Sequence, residues 1–249
     1  MTFDEYAKVR HGYPYIVELQ IGKGALLYFG AQHTYDPKDA QIAEIEKRWK
    51  EFRPTVAYNE GGNPSVSKTL DETVSKSGES GLVRFLAARD KIPAFSLEPS
   101  RADEAAMLLK TYTPEQVKVF YALRQVPQFG NSKRDETIET HLEFVLGKWL
   151  SSVPGLEGSP RNLTEFERSC QWLSPKLKDW RDVPQSWFDP MDSQAYTNQI
   201  SRLSGEFRDQ HMVKLLIDEA KQGKRVFAVV GGSHVVMQER ALRAASNAP

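Results

Sequence analysis

The chain has 249 residues, 40% of them hydrophobic and 27% charged, with 33 basic side chains against 33 acidic ones, the balance of a soluble globular protein. Zero net charge removes the general electrostatic reason to expect nucleic acid or an anionic membrane as a partner. The longest apolar runs, residues 25–29 and 226–230, fall far short of the roughly 20 residues needed to cross a bilayer. The single cysteine, Cys170, excludes intrachain disulfides and Cys-rich zinc sites, so any metal must be held by histidine and carboxylate. Met1 is followed by Thr2, Phe3, Asp4 and Glu5, neither a basic start nor an apolar run, so no signal peptide is expected and the location expected is the cytoplasm.

Residues 15–20 (YIVELQ) and 25–30 (ALLYFG) are β-rich and separated by Ile21, Gly22, Lys23 and Gly24, which predicts an opening hairpin. Asp36 and Pro37 offer an N-cap and a first helical residue, and Ile42, Ile45, Trp49 and Phe52 follow at helical spacing. Pro54 ends that helix, and residues 55–58 (TVAY) form a short buried strand leading into Glu60. The alternation repeats with a helix over 82–90 and a strand over 93–97 that ends at Glu98. This order predicts a largely parallel sheet covered by helices.

From 102 to 203 the apolar residues recur at helical spacing among prolines, with no convincing strand. The expected organisation is one α/β domain over 1–249 carrying a helical insertion over 102–203. Thr113 and Pro114 open one helix, and residues 134–150 contain another, with Ile138, Leu142, Val145 and Trp149 on one face. The stretch 172–192, with Trp172, Trp180 and Trp187 among prolines, is too aromatic for a flexible linker. The alternation then returns: a helix over 207–221 terminated at Gly223, a buried strand over 226–230 and a last helix over 235–245. Both ends of the chain are thus expected to share one mixed, mostly parallel sheet.

Gly30-Ala31-Gln32-His33 follows the strand ALLYF, and Gly231-Gly232-Ser233-His234 follows the strand VFAVV. Each places a histidine at the carboxyl end of a strand, the edge where open α/β sheets bind ligands. Glu60 and Glu98 should emerge at the same edge. Taken singly, His33 is more often a structural histidine, and Glu98 a capping or salt-bridged carboxylate. Two histidines at the same offset from strand-ending glycines favour a shared site. Two imidazoles and two carboxylates suit either a Zn, Mn or Co ion with an open position or a metal-free general base with an orienting carboxylate, and spacing does not separate these.

Other signals are weaker. Gly231-Gly232-Ser233 opens a helix whose free N–H groups would attract an anion, but no full GxGxxG or GxxxxGK[ST] pattern is present. Ser80 and Ser233 lie in no complete G-x-S-x-G elbow. Cys170 is read as core. Arg208 and His211 are three apart on one helix face, where Arg208 could hold an oxyanion and His211 join the site, or both could be ordinary surface residues. Glu79 is read more readily as a helix cap than as catalytic.

The paired G-x-x-H motifs, Glu60 after its strand, Leu97-Glu98, and the R-x-x-x-M run Arg208-Asp209-Gln210-His211-Met212 together resemble the TraB/TIKI family, whose superfamily also takes in erythromycin-esterase-like and ChaN-like proteins. The resemblance covers the start and the end of the chain and leaves the centre unmatched. It implies a hydrolase site. TIKI-like members are metal-dependent proteases, the esterases open a macrolide lactone with an activated water, and ChaN-like members bind haem without catalysis, through a histidine. Carried over, His33, Glu60 and His234 bind a divalent ion or activate water, with Glu98 as a ligand or general base and Arg208 as stabiliser of negative charge. The expected substrate is a peptide, ester or lactone. The sequence departs from TIKI-like relatives in lacking a signal peptide or membrane anchor, which points away from an extracellular substrate.

Overall fold

The computed structural model describes residues 1–129 and 136–246. The chain divides into two compact units, one formed by Met1–Glu98 with Asp209–Pro249 and the other by Pro99–Arg208.

The first unit begins with a helical turn, α1 (Phe3–Tyr6), closed by a capping box between Thr2 and Glu5. The hairpin follows as β1 (Tyr15–Ile21) and β2 (Gly24–Ala31), paired antiparallel from Tyr15 opposite Gly30 to Ile21 opposite Gly24. Helix α2 (Ala40–Phe52) buries Ile42, Ile45, Trp49 and Phe52. Its N-cap is Asp39, whose side chain accepts from the Gln41 amide. Asp36, the residue expected to cap it, instead closes a turn one step earlier, accepting from the Lys38 amide with its side chain and from Asp39 with its carbonyl. Pro37 therefore lies in that turn and not in the first turn of the helix.

Strand β3 (Val56–Asn59) leads to α3 (Leu70–Asp90), then to β4 (Ala94–Ser96). The helix expected over 82–90 is thus the second half of a longer one. The two halves meet at Gly78, with φ 59° and ψ −152°, a region that only glycine enters cheaply.

The second unit holds α4 (Arg101–Leu108), α5 (Pro114–Phe129), α6 (Ile138–Phe144) with a π-helical turn over Val145–Trp149, and α7 (Leu163–Leu173). Residues 134 and 135, part of the helical stretch expected over 134–150, lie outside the described residues. The aromatic stretch that follows is pinned by short 3₁₀ turns, with Trp180 and Phe188 buried while Trp172 stays 80% exposed. The core of this unit includes Phe120, Leu123, Leu146, Phe166, Ile200 and Cys170. Burial pushes the Cys170 thiol up to about 12, so it is a packing group rather than a nucleophile.

A long helix, α8 (Tyr196–Lys221), passes from one unit into the other between Arg208 and Asp209. Gly223, at φ 88°, turns the chain after it. Strand β5 (Arg225–Gly231) and helix α9 (Gly232–Ser246) complete the first unit.

The sheet order is β1-β2-β5-β3-β4, with β1 antiparallel and the other neighbours parallel. This is an α/β fold with a mixed, mostly parallel sheet flanked by helices. Alternate residues of each strand serve opposite faces. Leu26, Tyr28, Val226, Ala228 and Val230 pack with Met212, Leu216 and Leu242 from α8 and α9. Leu27, Phe29, Phe227 and Val229 pack with α2 and α3. Burial of both faces explains why the central strands read as continuous apolar runs. Among the described residues no helix is long and apolar enough to cross a membrane.

Candidate functional site

The register brings the sequence motifs together. In the parallel pair of β2 and β5, Gly30 lies opposite Val230 and Ala31 opposite Gly231; in the pair of β3 and β5, Asn59 lies opposite Val229. His33, His234 and Glu60 therefore leave three adjacent strands at nearly the same level. Gly30 is required here because a Cβ would lie 2.8 Å from the Tyr15 carbonyl oxygen and 2.9 Å from Gly232 Cα. Past β2 the chain is clasped by Gln41, whose side-chain oxygen accepts from the Gln32 amide at 3.1 Å and whose NH2 donates to the Gln32 carbonyl at 2.6 Å.

His33 Nδ1 is bonded to Glu79 Oε1, and the other oxygen of Glu79 accepts from the Thr34 amide at 3.3 Å. Glu79 is only 5% exposed whereas the His33 ring is 63% exposed. The break at Gly78 makes this contact possible, since a Cβ there would stand 2.8 Å from the Thr34 carbonyl oxygen. Glu79 thus orients a histidine and is not the helix cap its position suggested. The hydrogen bond from His33 to Glu79 raises the His33 pKa, opposed by burial; the charges of Glu79 and Glu60 raise it further and His234 lowers it.

His234 repeats the pattern from the other side. Its Nδ1 is 2.5 Å from Asp209 Oδ1, and Asp209 also accepts from Gln238 Nε2 at 2.7 Å. Gln238 is buried and accepts in turn from the Tyr28 hydroxyl at 3.0 Å. Asp209, Met212 and Leu216 recur at helical spacing on the sheet-facing side of α8. His211 is two residues on, and has no hydrogen-bond or ion-pair partner among the described residues.

Glu60 sits between the two histidines. Its Oε2 accepts from the Gly231 amide at 2.7 Å, and its Oε1 is 3.4 Å from His234 Nε2. A Cβ on Gly231 would lie 3.0 Å from His33 Nε2 and 3.3 Å from Glu60 Oε2. The His33 ring and the Glu60 carboxylate thus both lie over this glycine. Glu60's own backbone is fixed by Ser80 Oγ and Asn59 Nδ2, each donating to its carbonyl at 2.8 Å. Ser80 is thereby a structural donor. The N-terminal amide at Gly231, read from sequence as an anion trap, is met by Glu60.

Glu98 accepts from the Gly61 amide at 3.4 Å, which ties the end of β4 to the loop after Glu60. Arg208 is the last residue of the helical unit, where its charge lowers the pKa of Tyr121 against a larger upward push from burial. The structure thus gathers His33, Glu60 and His234. It adds Glu79 and Asp209, two carboxylates the sequence reading did not place in the site. Their one signal in sequence is adjacency: Glu79 follows Gly78, and Asp209 lies inside the R-x-x-x-M run.

Two imidazoles with Nδ1 held by carboxylates, plus a third carboxylate, are donors of the type that bind Mn, Co or Zn. As they stand, no three His, Cys, Asp or Glu side chains among the described residues are grouped to hold an ion. Comparisons with family models, curated proteins and solved structures return no match to this chain. Its chemistry must be argued from its own geometry.

Proposed function

We propose that this chain is a hydrolase of the TraB/TIKI type that cleaves an amide or ester bond with water activated by His33, His234 and Glu60. The observation that carries the reading is the pair of carboxylate–imidazole dyads, Glu79–His33 and Asp209–His234, set on adjacent strand ends about a single carboxylate. A carboxylate on Nδ1 fixes the tautomer and leaves the Nε2 lone pair as the base. His33 Nε2 takes a proton from water as the oxygen attacks the carbonyl carbon, and Glu79 stabilises the imidazolium so formed. The C–N or C–O bond breaks as the leaving group receives a proton from the imidazole pair. Glu60 holds the register of the two rings through the Gly231 amide.

A second form of the reading keeps the same residues and adds a divalent ion. His33, His234 and Glu60 would hold such an ion, and it would supply a bound water of lowered pKa. The deciding experiment assays the full chain against p-nitrophenyl esters and aminopeptide anilides, after chelation and after adding Mn, Co or Zn, beside His33→Ala, His234→Ala and Glu60→Gln. Hydrolysis that falls about 10²- to 10⁴-fold in each variant is expected. Wild-type protein that cleaves nothing with or without metal would overturn the proposal. Saturable stabilisation by one metal, absent from both histidine variants, would select the metal form.

A further inference from the structure

Arg10, Arg53 and Arg240 of the α/β unit are exposed to water, whereas Arg84 is half-buried. Arg48, Arg89 and Arg243 pair with Glu44, Asp90 and Glu239, and Arg225 donates to the Phe52 carbonyl. Arg84 has no carboxylate partner among the described residues. Its Nη1 donates to Asn59 Oδ1 at 3.2 Å and Asn63 Oδ1 at 2.8 Å, both neutral amides. The side chain is half-buried, and burial lowers its pKa with no acidic neighbour to oppose it. A partly desolvated cation without a counter-charge is costly in a folded chain. Its persistence calls for an anion from elsewhere.

The position of Arg84 says where that anion would sit. It lies four residues beyond Ser80 on α3, one helical turn or about 6 Å along the axis and on the same face, and Ser80 holds the Glu60 carbonyl. Asn59, its first partner, immediately precedes Glu60 and binds the Glu60 and Gly62 carbonyls. The guanidinium is therefore fastened to the loop that carries the central carboxylate of the site. Gly61 and Gly62, at φ 80° and 84°, leave the loop bare: a Cβ on either would meet nothing within 4 Å. With both hydrogens of Nη1 taken, Nε and Nη2 remain as a flat pair of donors, the shape that grips a carboxylate by two parallel bonds.

We infer that Arg84 is the substrate-recognition residue of this site and that it takes a carboxylate, so the substrate is an ester or amide bearing a free carboxylate near the scissile bond. This rests on the hydrolase reading above. Arg84 is a binding residue. Asn59 and Asn63 aim it.

The test uses the full chain and two esters that differ in one charge, p-nitrophenyl acetate and mono-p-nitrophenyl succinate, with wild type, Arg84→Gln and Arg84→Lys. The expected result is a loss in kcat/KM on the succinate ester in Arg84→Gln about 10- to 100-fold greater than on the acetate ester, carried by KM, with Arg84→Lys in between. Equal loss on both esters would overturn the inference, since a residue that only holds the loop serves every substrate alike. A second readout needs no turnover: succinate should raise the wild-type Tm and leave Arg84→Gln unmoved. Inorganic phosphate matching succinate would overturn the carboxylate assignment. If wild type cleaves neither ester yet succinate still stabilises it through Arg84, the hydrolase reading falls and the carboxylate site stands; if succinate also fails, both fall.

Discussion

The site is set by what is attached to the far side of each imidazole. Glu79 on His33 and Asp209 on His234 engage Nδ1 of each ring and leave Nε2 as the other nitrogen, and neither histidine could act as a directed base without that second contact. The raised pKa of His33 has a definite sign in two measurements. Because its folded value lies above the unfolded one, its contribution to stability is present below the unfolded pKa and is lost as pH rises through the folded value. The proposed hydrolysis would need the neutral ring, so its rate should climb with pH through that same folded value. Glu79→Gln should move both the NMR titration of His33 and the rising limb of the rate profile to lower pH; a profile that stays put would remove His33 as the base. Lys118 offers a contrast in the helical unit. Its side chain is buried, its ammonium donates to Ser151 Oγ and the Gly158 carbonyl, and burial pushes its pKa down from 10.5 to about 8. Here the unfolded chain holds the proton more tightly, so stability should rise with pH between about 8 and 10.5, by about 3 kcal/mol over the full interval. Urea unfolding at several pH values checks this, and Lys118→Met should flatten the slope.

At the scale of elements, the strands and most helices were legible because their patterns are local. Both-face burial makes apolar runs of the central strands, and a single buried stripe makes the 3.6-residue period of α2. What was not legible depends on non-local contacts. Asp36 and Asp39 are both plausible caps, and only the turn closed by Asp36 decides for Asp39. Glu79 and Asp209 lie inside long helices, where a carboxylate ordinarily faces solvent; the sheet register and the break at Gly78 turn them inward. The pairing of the two G-x-x-H motifs was legible, since equal offsets from two strands predict equal heights if the strands are neighbours. That β5 would lie between β2 and β3 was not written in either motif. The Gly78 break gives a prediction of its own. Gly78→Ala adds a Cβ against the Thr34 carbonyl in a backbone region closed to alanine. It should cost about 1 to 3 kcal/mol and reproduce the pH shift of Glu79→Gln. A Gly78→Ala variant with wild-type Tm and an unshifted profile would show that the break is incidental.

For the whole molecule, the α/β unit closes on itself only when residues 209–246 return to the sheet, because β5 pairs with both β2 and β3. Any stable sheet therefore needs both ends of the chain. Amide exchange should show β2, β3 and β5 opening together and last, with the three-residue edge strand β4 exchanging sooner; early exchange of β5 alone would contradict this. A last consequence comes from Cys170. As the sole cysteine, buried and with its thiol held out of the reactive range, it leaves the native surface blank to maleimides at neutral pH. Gln32→Cys would then give a single attachment point beside His33, where the backbone is already anchored by Gln41. A dye there would report molecules that bind beside His33.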